Sequence, residues 1–318
     1  MSSGADGPLV ALAGGVGAAR YLSGVVEVVD PRKLTVVVNT GDDAEFYGVH
    51  VSPDLDIVTY TLAGVVDPDR GFGLAGDSFH VVEQLARLGH ESWFRLGDRD
   101  FANCLHRTLA LRGGIGLAKV CDDLRRHFGV ATRILPMSQD PCPTRVELGN
   151  GQRVHFEQYL VRDGAPDDVA AVDLSAARAA CPAPGVVEAV AAAGAVLVCP
   201  SNPVVSIGPI RAVGGIAAAI DAARVPVVAV SPIVGGAPIK GPADALLRGI
   251  GAEVSARGVA ALYRDWIDGI VIDERDRAQA AAIEALGLAV EVTDTWMVDG
   301  AAAARVARCA LSLVERLR

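Results

Sequence analysis

Leu9-Val10-Ala11-Leu12-Ala13-Gly14-Gly15-Val16-Gly17-Ala18-Ala19-Arg20 is an apolar run that stops at glycines and resumes with helix-forming residues. A strand covered on both faces shows no polar alternation. Glycines at its end let the chain turn sharply into a helix whose free N–H groups and dipole attract an anion. We read a strand over 8–13, a helix over 18–28 and a second strand over 34–38, which make an opening βαβ unit. The rhythm returns after Pro184, with a helix over 186–193, a strand over 195–199, a helix over 215–223 and a strand over 226–231. A strand over 269–272, a helix over 278–286, a strand over 288–292 and a closing helix over 301–317 follow. Continuous apolar strands alternating with helices predict an α/β fold with a doubly wound, mostly parallel sheet. Between the two stretches, helical patterns near 78–88, 101–111 and 117–128 form an excursion from the sheet. Gly149-Asn150-Gly151, flanked by strands over 144–148 and 153–159, predicts a hairpin, because these residues tolerate positive φ. The expected organisation is a single α/β domain over 1–318, with 57–170 as an inserted helical and β-hairpin region.

The chain has 318 residues, 51% of them apolar, with a formal net charge of -9. A chain of that size can bury a large core, and it carries no basic run to neutralise a phosphate backbone, so nucleic acid is not an expected partner. Cys104, Cys121, Cys142, Cys181, Cys199 and Cys309 show no CxxC spacing, which disfavours a zinc site or a disulfide framework. The start lacks a basic signal-peptide region, and no apolar stretch free of turn residues reaches the roughly 18 residues of a membrane span. A cytoplasmic protein acting on small molecules, with no membrane partner, is the expectation. His50, His80, His90, His106, His127 and His155 lack metal-ligand spacing and are assigned to surface or packing.

Two acidic clusters fall where the second strand ends: Asn39-Thr40-Gly41-Asp42-Asp43 and Ser52-Pro53-Asp54-Leu55-Asp56. Carboxylates at the carboxyl edge of a sheet lie where open α/β folds bind ligands, and oxygen-rich clusters suit a hard divalent cation that grips phosphates. The same residue types also build turns. Gly14, Gly15 and Gly17 invite a dinucleotide reading, but such a site would carry an acid at the end of the second strand, where this chain has Asn39. Two more loops follow strands. Pro200-Ser201-Asn202-Pro203-Val204-Val205-Ser206-Ile207-Gly208-Pro209-Ile210 offers rigid backbone with hydroxyl, amide and N–H donors, and the 231–242 loop begins at Ser231 and adds the cation Lys240.

These motifs, with Leu96-Gly97-Asp98-Arg99-Asp100 and Asp273-Glu274-Arg275-Asp276, stand in one order along nearly the whole chain. In that order they resemble the 2-phospho-L-lactate transferase family of coenzyme F420 biosynthesis. The resemblance implies a Rossmann-like core and transfer of a phospho-hydroxyacid group from a guanosine diphospho-linked donor to the deazaflavin Fo, with release of GMP. It implies Mg²⁺ held by Asp43 with Asp42 or Asp54, Asp56 at the ribityl chain of Fo, and Arg95 facing the deazaflavin. Asp43 and Asp56 are the catalytic candidates. Ser201, Asn202, Ser206 and Gly208, with Ser231 and Lys240 nearby, are the candidates for the guanosine phosphates, beside the anion-holding Gly14, Gly15 and Gly17. Asp98, Arg99 and Asp100 are read as a capping set that shapes the pocket, and Phe46, Tyr47, Phe72, Trp93 and Phe94 as stacking or packing surfaces. A homodimer is expected. A regulatory nucleotide-sugar-binding protein of the gluconeogenesis-factor type is the competing reading.

Overall fold

The computed structural model describes residues 7–318. Its centre is a seven-stranded parallel sheet of β1 (Leu9–Ala13), β2 (Leu34–Val38), β3 (Arg133–Pro136), β4 (Ala195–Val198), β5 (Val227–Val230), β6 (Gly269–Asp273) and β7 (Ala289–Thr293), in the order β3-β2-β1-β4-β5-β6-β7. The expected doubly wound α/β architecture is therefore present. From β1 the chain works outward to β3, then crosses to β4 on the other side of β1. That reversal opens a crevice at the carboxyl ends of β1 and β4. Register keeps the ends level: Ala13 lies beside Val38, and Leu12 beside Val198.

Alternate residues of each strand feed separate cores. Val10 and Leu12 pack with Val186, Ile216, Leu246 and Val259 on one face. Leu9, Ala11 and Ala13 pack on the other with Tyr21 and Leu22 of α1 (Gly15–Val28), Leu55 of α2 (Pro53–Leu62), and Leu313 of the helix Gly300–Arg316. At Gly24 a Cβ would stand 2.1 Å from the Ala303 carbonyl carbon, so a larger residue would separate these two helices.

Two segments went unread in the sequence. β3 lies within 57–170 yet belongs to the central sheet; it is short, sits on an edge and ends at Pro136, where a missing N–H is tolerated. The hairpin Arg145–Leu148 with Arg153–His155 formed as expected, and gained a third strand, Val169–Asp173, whose short, partly exposed sequence carries no clear strand signal. The helices His80–Arg87, α3 (Asp98–Arg112) and Leu117–His127 match the helical excursion. Among the described residues, no single helix is long and apolar enough to cross a membrane.

Candidate active site

The turn from β1 into α1 is pressed between two other loops. A Cβ at Gly14 would come within 2.7 Å of both Asp54 Oδ2 and Ser206 Cβ, and one at Gly17 within 2.5 Å of the Pro200 carbonyl oxygen. Gly14 N–H donates to Ser201 Oγ at 3.2 Å, and Gly15 N–H to Asp54 Oδ1 at 2.7 Å. Two N–H groups that the sequence offers to an anion are thus satisfied within the protein, and the Asp54 carboxylate itself sits at the positive end of α1. Asn39, which stands where a dinucleotide site would carry an acid, is a buried tie between loops. Its amide donates to Asp54 Oδ2 at 3.0 Å and to the Val205 carbonyl at 3.3 Å, and its Oδ1 accepts from Gly41 N–H at 2.9 Å.

Around this tie the carboxylates crowd. Asp42 is buried and its Oδ1 has no hydrogen-bond partner. Asp43 Oδ2 accepts from Ser52 Oγ at 2.7 Å and lies 3.1 Å from His50 Nε2, while its Oδ1 is buried without a partner. His50 therefore holds a site carboxylate, contrary to its assignment to surface or packing. Glu157, from the segment after the hairpin, is buried and lines the same space. Burial and the charges of Asp54, Glu157 and Asp43 hold the Asp42 carboxyl well above its ordinary range. Burial raises Asp43 too, against its bonds to His50 and Ser52. Burial brings Asp54 up to about 6, opposed by its bonds from Asn39 and Gly15, and brings Glu157 up to about 8, helped by Asp54 and Asp43. Two of these four crowded carboxyl groups, Asp42 and Asp43, keep a buried oxygen without a partner, and oxygen donors of this kind are what a hard divalent cation takes. Among the described residues the ligand atoms that converge within 4.8 Å are instead those of Asp56, Asp100 and Cys104.

The neighbouring acids are spent differently. Arg107, 1% exposed and rooted in α3, grips both oxygens of Asp56. Tyr60 donates to Asp100 Oδ1 at 2.8 Å. Burial and the Asp56 charge push Asp100 up to about 7. Asp98 accepts from the N–H groups of His80 and Val81, while Asp77 accepts from those of Arg99 and Asp100, so the 98–100 motif is a reciprocal cap. Phe46 and Phe94 stack at 3.9 Å with Trp93 edge-on at 5.2 Å from Phe46.

A cavity of about 620 Å³ joins these parts. Gly14, Gly15, Gly17, Asp42, Asp54, Asp56, Arg95, Ser201, Asn202, Ser206, Ser231 and Lys240 line it, with Phe72, Trp93 and Phe94 along one wall. Two expected site residues lie outside its wall. Asp43 does not line it, and Gly208 opens the short helix Gly208–Ala212, where a Cβ on it would meet the Pro203 carbonyl oxygen and Leu174. Asn202 Oδ1 accepts from the N–H groups of Val204 and Val205, which leaves its amide NH₂ for a ligand. Ser231 Oγ is engaged with the backbone of Ile233, and Arg95 lies across the Phe79 ring at 4.4 Å.

The family described as 2-phospho-L-lactate transferase CofD matches residues 9–312. The chain belongs to the CofD family. A phosphoenolpyruvate transferase of Kitasatospora aureofaciens is 45% identical over 316 residues, 98% of each chain. A 2-phospho-L-lactate transferase of Methanopyrus kandleri is 39% identical over 97% of this chain and 98% of its own. A UPF0052-family protein from Bacillus halodurans has a TM-score of 0.64 over 96% of this chain and 98% of its own, at 16% identity, and shows the fold alone. As a CofD-family protein the chain is a transferase, and the resemblance carried by the ordered motifs is borne out.

Arg20, Arg107 and Glu157 are parts of this CofD-family site that sequence reasoning missed. Arg20 ends the quoted glycine motif and could have been found there. Arg107 and Glu157 sit in helical and hairpin segments with nothing local to set them apart from solvated charges.

Proposed function

We propose that the enzyme moves a phospho-hydroxyacid group, 2-phospho-L-lactate or its enolpyruvyl or glyceryl counterpart, from a guanosine diphospho-linked donor to Fo. GMP leaves, and coenzyme F420-0 or its dehydro form results. The observation that carries this reading is the placement, in one cavity, of an aromatic wall and strand-end loops on either side of a buried carboxylate cluster with orphaned oxygens. A flat acceptor stacks against Phe72, Trp93 and Phe94 with Arg95 at its edge. The donor's phosphates lie along Ser201, the Asn202 amide and Ser206, with Ser231 nearby.

In the reaction the terminal ribityl hydroxyl oxygen attacks the phosphorus that bears the acid, the bond to the GMP oxygen breaks, and the hydroxyl proton is released. Asp42, Asp43 and Asp54 would hold Mg²⁺, with Asp43 reached through the tie to Ser52 and His50. When bound, Mg²⁺ offsets the diphosphate charge and stabilises the leaving phosphate. Asp56 accepts the ribityl hydroxyl on lone pairs that Arg107 leaves free, which aligns the nucleophile; a loose phosphoryl-transfer transition state needs little base catalysis. The aromatic wall and the 231–242 loop keep bulk water from competing as the nucleophile.

Mass spectrometry of reactions with Fo, Mg²⁺ and each donor in turn tests the proposal, alongside titration of Fo fluorescence. A mass shift equal to the phospho-hydroxyacid group is expected with one donor. Nucleotide binding without any Fo binding or product would sink the transfer reading in favour of the regulatory one.

A further inference from the structure

Three cationic residues line the cavity: Arg20, Arg95 and Lys240. Arg95 is committed to the Phe79 ring at the aromatic end. The other two meet elsewhere. Arg20 stands one turn after Val16 on α1, and helix side chains lean toward the N-terminus, so its guanidinium is carried back over Val16 toward the Gly14–Gly17 turn. Lys240 Nζ lies 3.6 Å, and Val16 Cγ1 3.7 Å, from where a Cβ of Gly71 would be, which puts the ammonium against the same wall.

Neither cation has an acidic partner among the described residues. Outside the helix ladder, Arg20 takes part in one hydrogen bond, its carbonyl accepting from Ser23 Oγ. Lys240 Nζ donates to the Arg70 carbonyl at 3.3 Å and lies 5.9 Å from the Phe72 ring centre. Burial and the Arg20 charge push the Lys240 amine below its ordinary range. In a chain of net charge -9, two exposed cations that line one cavity without an acidic partner are placed to share an anion.

We propose that Arg20 and Lys240 form a clamp for the diphosphate of the donor, on the opposite side of the phosphates from the Asp42–Asp54 edge. The clamp rests on the donor reading above and deepens it. It divides the work of charge neutralisation: the acidic edge serves through a divalent cation, and the clamp acts directly. Lys240 exchanges the Arg70 carbonyl for a phosphate oxygen, which ties the 231–242 loop to α1 when the donor is bound.

Calorimetric titration of the full chain with GDP, GMP and inorganic pyrophosphate, in Mg²⁺, tests this. Arg20→Gln and Lys240→Gln should each weaken GDP and pyrophosphate binding by about tenfold or more, with a smaller change for GMP, while Lys240→Arg keeps most of the affinity. Melting temperatures close to that of the unsubstituted chain would confirm that the variants fold. Pyrophosphate carries no nucleoside, so its loss in both variants supports the clamp even where no transfer to Fo is detected, and the two readings fail separately. The clamp is overturned if both variants hold GDP and pyrophosphate within about twofold of the unsubstituted chain, or if the unsubstituted chain binds neither. It is equally overturned if GDP affinity is unchanged and only the KM of the acid-bearing donor rises, which would assign the pair to the acid's carboxylate.

Discussion

At the carboxyl edge of β1 and β2, Asp42 and Asp54 are buried and Asp43 is partly buried, with no Lys or Arg bonded to them, whereas two residues beyond Asp54 the guanidinium of Arg107 takes both oxygens of Asp56. The two regions contain the same kind of side chain at similar burial. Their difference lies in where the compensating charge comes from. A buried carboxylate costs several kcal/mol unless it is paired or neutralised. At Asp56 the protein supplies the partner from the inserted helices, and the carboxylate is fixed in place by its own cation. At the sheet edge it supplies hydroxyl, amide and imidazole contacts and leaves two oxygens orphaned, which points to a partner from outside.

Breaking the internally paired side should have the largest effect. Arg107→Met leaves Asp56 buried without its cation and should cost about 3–5 kcal/mol in urea denaturation. The double change Asp56→Leu with Arg107→Met should recover most of that stability while losing use of Fo. A single variant as stable as the parent chain would mean that the pair is not structural.

The unpaired side should respond in function rather than in stability. Asp42→Asn should lower transfer by on the order of 10²-fold or more, and Asp43→Asn, which acts from outside the wall, by roughly 10–100-fold. Neither should destabilise the metal-free fold, since each removes one of several crowded charges. Unaltered Mg²⁺ dependence of the rate in both variants would take the metal away from this edge.

A smaller and mixed effect is expected at Asn202, where Oδ1 caps the turn Pro203–Ile207. Asn202→Ala should cost about 1 kcal/mol of stability and weaken GDP more than Fo in calorimetry. Equal losses for the two ligands would reduce Asn202 to a cap.

A pH dependence sharpens the contrast. Asp54, Asp100 and Glu157 titrate near 6, 7 and 8 in the folded chain, above the ordinary carboxyl range that the unfolded chain shows. The folded state therefore holds protons that the unfolded state has lost. Stability from these groups is complete below about pH 4 and declines as pH rises through 6 to 8. Metal-free protein should melt lower at pH 8 than at pH 5, and Mg²⁺ should flatten the slope. A melting temperature that rises over this interval would contradict the burial of these carboxyls in the absence of a cation.

Local pattern made much of this protein readable. Apolar runs closed by glycine, proline, asparagine or acidic residues specified β1, β2 and β4 to β7, and the order of the loop motifs along the chain specified the family, because strand burial and tight turns impose their residue types within a few positions. β3 escaped, since its buried part is only three residues long and ends in proline, too short a run to show a strand period. What the pattern could not carry was the assignment of charge. Asp54 and Asp56 look alike in sequence, yet one meets Gly15 and Asn39 while the other meets Arg107, 51 residues away. Asp43 fell outside the cavity wall and Arg20 fell on it. Such outcomes depend on which distant segments the folded chain brings within about 3 Å of a carboxylate, and electrostatic and desolvation energies at that range are properties of the packed molecule rather than of any stretch of sequence.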